Sequence, residues 1–366
     1  MSKFYSLKNI LAKKAQYNLI YGERSNGKTY AALQYMLDQY VKTGKQSALI
    51  RRWKEDFVGK RGSVMFDGLV SNGEISKLTH GHWTGVYYYS SKWYLMRLDD
   101  QGKRETDETP FCFGFAISDT EHDKSTSYPG VTTIIFDEFI SRTGYLPDEF
   151  ILFCNVLSTI IRQRKDVTIL MLGNTVSKYA CPYFREMGLT HIKTQDPGTI
   201  DIYRYGNSDL IVAVERTAPS KIGKDSDLYF AFDNPKLQMI TTGAWDIGIY
   251  PHLPHKYRPA DVIYQFFIVY EGVTLHAEVI QIAGEAPFIF IHPKSSPIRD
   301  DGQYLTFSQD YNIDPLHRRD ITKPSDRVTE KIAEIFRADR VFFSDNDTGE
   351  LVFAYLSWCR GSDIDL

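Results

Sequence analysis

Residues 17–42 read YNLIYGERSNGKTYAALQYMLDQYVK, and this stretch decides the fold. A short apolar run, 17–21, ends in Gly22-Glu23-Arg24-Ser25-Asn26-Gly27-Lys28-Thr29. That octet fits G-x-x-x-x-G-K-[ST], the phosphate-binding loop. Its flanks agree with it. The run before it is strand-like, and Leu33, Met36, Leu37, Tyr40 and Val41 recur at helical spacing before Gly44. Glycines let successive backbone N–H groups turn towards phosphate oxygens, and a helix N-terminus adds positive potential there. Lys28 is expected to reach the β- and γ-phosphates of a nucleoside triphosphate, and the Thr29 hydroxyl to ligate Mg²⁺.

Working outward, residues 47–53 (SALIRRW) read as a second strand, which ends in the cations Arg51, Arg52 and Lys54. Short aromatic segments at 86–89, 93–98 and 111–117 predict a hairpin or meander, with a turn at 99–102. Residues 132–136 (TTIIF) predict a buried strand that delivers Asp137 and Glu138 to its C-terminal mouth, where open α/β sheets bind ligands. Asp137 is the candidate for holding Mg²⁺, and Glu138 the candidate base for the attacking water. A helix is expected over 148–164, with Asp148 and Glu149 in its first turn. The strand 168–172 (TILML) runs into Gly173 and Asn174. Asn174 is either a residue that senses the γ-phosphate or a turn-forming asparagine. Strands alternating with helices predict a layered α/β sheet.

Composition narrows the class. With 366 residues, two domains are expected. The net charge of −3 gives no global basic signature, so a nucleic-acid partner needs a local patch. Four scattered cysteines without a C-x-x-C pair predict reduced core thiols. No run of eighteen apolar residues occurs, so no membrane partner is expected. A guanine-specifying N-K-x-D is absent, which disfavours a GTPase. The linker-like stretches 217–227 and 250–260 precede a fresh start, with strands expected at 262–270, 274–282, 287–292 and 341–343 and helices near 325–338 and 349–359.

GERSNGKT, ALIRRWK, KSTSYPGVTTIIFDEFI, IIRQR and LGNTVS together resemble the DNA-encapsidation ATPases of small protein-primed podophages, a terminase-like branch of packaging motors. The resemblance is specific over about 17–180. It implies an additional-strand (ASCE-type) P-loop ATPase domain over 1–217, a linker at 218–254, and an RNase H-like α/β domain over 255–366 without the nuclease centre. It also implies a homopentameric ring at the portal vertex of a prohead in the host cytoplasm. That ring would move double-stranded DNA, with a packaging RNA and the portal, or connector, as docking partners. Residue by residue, Arg162 matches a trans-acting arginine finger, Lys124 a lysine also placed at the subunit interface, and Asn174 a coupling asparagine. On the residues alone, Arg162 reads equally as a cation at a helix C-terminus. Lys54 is the candidate for contact with DNA phosphates. Arg51 and Arg52 either join it or support the nucleotide site. Rival readings are a helicase, a nuclease-competent terminase, or a scaffold that binds nucleotide without turnover.

Overall fold

The computed structural model describes residues 5–119, 126–141, 144–175, 181–206, 208–219, 249–253, 256–294, 296 and 303–361. It divides into two compact units, one of residues 1–176 and 182–245, the other of 177–181 and 246–366. The segment expected to link two domains, 218–254, lies largely outside the described residues, as does Lys124.

The first unit is built on a 10-stranded sheet. Its strands are β1 (Tyr17–Gly22), β2 (Gln46–Arg51), β3 (Gly85–Tyr89), β4 (Lys92–Leu98), β5 (Arg104–Thr106), β6 (Cys112–Ala116), β7 (Val131–Asp137), β8 (Thr168–Asn174), β9 (Thr199–Arg204) and β10 (Ile211–Arg216). The order is β3-β4-β6-β2-β7-β8-β1-β10-β9, with β5 on β4. From β6 through β10 every pairing is parallel. Parallel strands covered on both faces need near-continuous apolar sequence. The runs LIY, ALI, TIIF and ILML supply it, and their side chains are almost wholly buried. On one face the helix Lys28–Thr43 sets Leu33, Met36 and Leu37 against Ile20, Leu49, Ile135 and Leu170. On the other, Phe153 of the helix Glu149–Ile161 stacks on Phe136 at 5.0 Å.

One pairing matters most. β8 lies between β1, which carries the phosphate loop, and β7, which carries Asp137. The mouths of three adjacent parallel strands therefore open side by side.

Several elements differ from expectation. The 99–102 turn leads into β5, three exposed polar residues that carry no alternation signal. β9 and β10 were not anticipated from sequence, although β10 pairs directly with β1. The second strand stops at Arg51, so Lys54 begins the short 3₁₀ turn Lys54–Phe57 instead.

The second unit holds a 6-stranded sheet of β11 (Val262–Tyr270), β12 (Val273–Ile280), β13 (Phe288–Pro293), β14 (Thr306–Ser308), β15 (His317–Arg318) and β16 (Val341–Phe343). The order is β15-β14-β11-β12-β13-β16. β11, β12 and β13 form an antiparallel meander, and β14 and then β15 add in parallel beside β11. The helices Arg327–Arg337 and Asn346–Gly361 cover the face bearing Phe266, Ile268, Ala277 and Ile291, using Ile332, Ile335, Leu351 and Tyr355. Asp326 caps the first of these helices by accepting from the N–H groups of Val328 and Thr329. Val328, in the first turn of that helix, is 44% exposed and lies off the packed stripe. No helix among the described residues is long and apolar enough to cross a membrane.

Candidate active site

β1 ends at Gly22, and the chain reverses through residues 23–27 before the helix starts at Lys28. Gly27 sits at φ 91°, a left-handed conformation that a side chain would strain. At Gly22 an added Cβ would lie 2.0 Å from Thr217 Oγ1, because the tip of β10 crosses there. Asn26 Nδ2 donates to that same Thr217 Oγ1 at 2.9 Å, which pins the apex of the loop to the end of β10. Lys28 is only 6% exposed. Its ammonium donates to the Glu23 carbonyl at 2.6 Å and to Asn26 Oδ1 at 3.2 Å. Burial pulls its pKa down to about 8. Glu23 is buried, whereas Arg24 and Ser25 face solvent on the outer side of the loop.

Across the sheet, Thr29 Oγ1 donates to Asp137 Oδ1 at 3.1 Å. Thus the hydroxyl and the carboxylate proposed to share a metal already meet, although they lie 108 residues apart. Burial pushes the Asp137 carboxyl above its usual value, against the pull of Arg51. Arg51 donates to Asp137 Oδ2 and to Glu138 Oε2, both at 2.9 Å. Glu138 itself is left-handed, at φ 63°, and its side chain is 64% exposed. Asn174 pairs with Gly22 in the β1–β8 register, and Thr175 N donates to the Gly22 carbonyl at 3.1 Å. Phosphate loop, acid pair and asparagine therefore share one edge.

The three cations of the second strand are not a DNA-facing cluster. Arg51 serves the acid pair. Arg52 is 6% exposed and grips Glu149 through Nε at 2.7 Å and Nη2 at 2.9 Å, so it has no surface to offer a phosphate backbone. Only Lys54 is exposed, and it pairs with Asp119 at 2.7 Å. Glu149 lies in the first turn of its helix, as expected, and is buried there beside Arg52.

Arg162 stands at the C-cap of its helix, at φ 53°, and donates to the Thr126 carbonyl at 3.0 Å. Thr126 precedes the start of β7, whereas Asp137 ends it. Seven strand residues span roughly 20 Å, so Arg162 and the acid pair of the same chain lie at opposite ends of β7. Arg164 ties the same segment down through the carbonyls of Tyr128 and Pro129.

Sequence reasoning missed Thr217 and the Arg52–Glu149 pair. A threonine after an unanticipated strand gives no local signal, and nothing in sequence links positions 52 and 149.

The profile of the podovirus DNA encapsidation protein family (Gp16) matches residues 1–78 and 106–194. The DNA packaging proteins of Bacillus phages phi29 and PZA are each 29% identical over 188 residues, covering 50% of this chain and 49% of theirs. That of Bacillus phage B103 is 31% identical over 182 residues, covering 47% of this chain and 48% of its own. The chain thus spans about half the length of the curated relatives it matches. Among solved structures, a chain of the bacteriophage Phi-29 viral genome packaging motor assembly superposes with a TM-score of 0.55 at 18% identity, over 97% of this chain and 100% of that one. The Phi-28 gp11 DNA packaging motor gives 0.53 at 18% identity, over 98% of both. At such identity the likeness concerns the fold.

Proposed function

We infer that this chain, a member of the podovirus DNA encapsidation family through its N-terminal half, is an ATP-hydrolysing motor subunit that drives double-stranded DNA into a prohead. The observation that carries this reading is the meeting of Thr29 and Asp137, with Glu138 beside them and Asn174 on the interposed strand. That arrangement is the additional-strand (ASCE) form of a P-loop ATPase. ATP would lie on residues 22–29, with Lys28 turning its ammonium from the Glu23 carbonyl to the phosphates. The donor set of a hydroxyl and a buried carboxylate suits Mg²⁺, which would be held by Thr29 and Asp137 and would offset phosphate charge. Glu138 takes the proton of the attacking water once Arg51 releases it. Asn174, next to Gly22, registers whether the γ-phosphate is present.

The separation of Arg162 from its own acid pair supports a role in trans, in a homopentameric ring where it would meet a neighbour's ATP. Arg24, exposed on the loop, is a second cation for the phosphates, and Lys124 a further one at the interface. Lys54 is the proposed contact to DNA phosphates. The β13-β12-β11-β14-β15 order of the second unit and its strand directions support reading it as an RNase H-like domain. β11, VIYQFFIVY, carries no acid for a two-metal centre, so we assign this unit to docking on packaging RNA or portal rather than to DNA cleavage.

DNA-stimulated ATPase measurements test the core of this reading. Lys28→Ala and Glu138→Gln should each lose turnover, and retained turnover in Glu138→Gln would sink it. Mixed rings of Arg162→Ala and Glu138→Gln subunits should regain activity that neither has alone, and no gain in verified mixed rings would refute the trans role.

A further inference from the structure

Glu138 occupies a conformation that the chain does not adopt freely. A left-handed backbone is strained for a non-glycine residue, so surrounding contacts must hold Glu138 at φ 63°. Its side chain is 64% exposed, and its ion pair to Arg51, which is 15% exposed, restrains the carboxylate rather than the backbone. The hold comes from beneath. Arg52 Nη1 donates to the Glu138 carbonyl at 3.2 Å, and Nη2 to the Phe139 carbonyl at 3.0 Å. Two more guanidinium donors, on Nε and Nη2, go to the two oxygens of Glu149, whose side chain is fully buried. Glu149 is itself oriented by the Tyr183 hydroxyl and the Leu146 N–H, both at 2.8 Å. The Tyr145 ring lies 4.9 Å from the guanidinium.

We propose that the buried Arg52–Glu149 pair positions Glu138, locking its backbone so that the carboxylate points at the place of the attacking water. This rests on the reading of Glu138 as the general base. Arg52 touches no reactant and acts only through the peptide units of Glu138 and Phe139. Two features distinguish this from a pair kept for stability. A guanidinium fork reaches two carbonyls and a carboxylate together, which the single ammonium of lysine does not. The two carbonyls also belong to the catalytic residue and its neighbour, not to a remote strand.

The test is a double-mutant cycle on turnover in the full-length protein. Arg52→Lys should lower kcat by about a hundredfold, the scale of a 1 Å misplacement of a reacting group, while the affinity for a fluorescent ATP analogue changes less than about threefold. In a Glu138→Gln background, Arg52→Lys should cause no further loss in single-turnover hydrolysis, since the group it positions is gone. An equal fold-loss in both backgrounds would overturn the proposal, because a stability role acts regardless of residue 138. If Arg52→Lys does not fold, Glu149→Asp is read in the same way. It keeps the charge but draws the fork back by one methylene, and unchanged kcat in a folded Glu149→Asp protein would also overturn the proposal. Full activity in Glu138→Gln alone marks the failure of the general-base reading instead.

Discussion

Gly173 is where the strand between the phosphate loop and the acid pair must be thin. A Cβ built there would lie 2.7 Å from Ile140 Cγ1, 2.8 Å from Ile140 Cδ1 and 2.9 Å from Phe139 Cε1. Phe139 is 0% and Ile140 4% exposed, so neither can swing into solvent. Both follow Glu138 directly, and Phe139 N donates to the Leu172 carbonyl at 3.1 Å. Gly173→Ala therefore forces the loop behind Glu138 away from β8. Overpacking of a filled core costs about 1–3 kcal/mol. At roughly 2–4 °C per kcal/mol for a unit of this size, the melting temperature of the first unit should fall by about 2–12 °C. Because Glu138 rides on the displaced loop, kcat should fall by about tenfold or more, with nucleotide affinity changed less than about threefold. Differential scanning calorimetry and steady-state ATPase assays read the two effects. A melting temperature within a degree of the parent together with unchanged kcat would refute the claim that this contact sets the loop.

Two further outcomes follow from the phosphate loop. In the nucleotide-free protein Lys28 carries its proton below a pKa of about 8 and loses it above. Bound phosphate favours the charged form, so ATP binding takes up a proton above that pH, and affinity should fall by up to about tenfold per pH unit beyond 8. Lys28→Arg, charged throughout, should show no such fall in fluorescence titrations, and parallel curves for the two proteins would defeat the explanation. Thr217→Val keeps shape but removes the acceptor of Asn26 Nδ2. A buried donor left unpaired costs about 1–3 kcal/mol, so chemical denaturation should register that loss and KM for ATP should rise, whereas an unchanged midpoint would show that the loop apex does not depend on β10.

The legible parts of the chain were those whose chemistry is local. The octet 22–29 is a contiguous signal, because one backbone curl and one helix start make the whole loop. Asp137 and Glu138 were legible because the apolar run Ile134–Phe136 fixes where a buried strand ends. What could not be read were partners brought together by sheet order. Arg51 looked like Arg52 and Lys54 in sequence. Yet alternation along the strand and its end at Arg51 send the three side chains to the acid pair, to buried Glu149 and to solvent respectively. Glu149 illustrates the limit of helix rules, since a first-turn acid is normally stabilised at the surface by the dipole. Here a buried arginine overrides that preference. β5, β14 and β15 are too short to carry a period, and β10 was missed although its run IVAV is apolar.

The order β7-β8-β1 also bears on how hydrolysis could be transmitted. Asn174 pairs with Gly22 on one side, while Leu172 and Gly173 hold Phe139 and Ile140 on the other. The last three residues of β8 thus touch both the loop that would bind phosphate and the loop that carries the base. The end of β10 makes the second contact with the phosphate loop, through Thr217. A change in loop geometry on loss of the γ-phosphate would therefore have two short exits, one to Glu138 through β8 and one to β10 through Thr217. Arg162, at the far end of β7, lies on neither. That placement favours the proposed role in trans, since neither route joins Arg162 to the nucleotide loop of its own subunit.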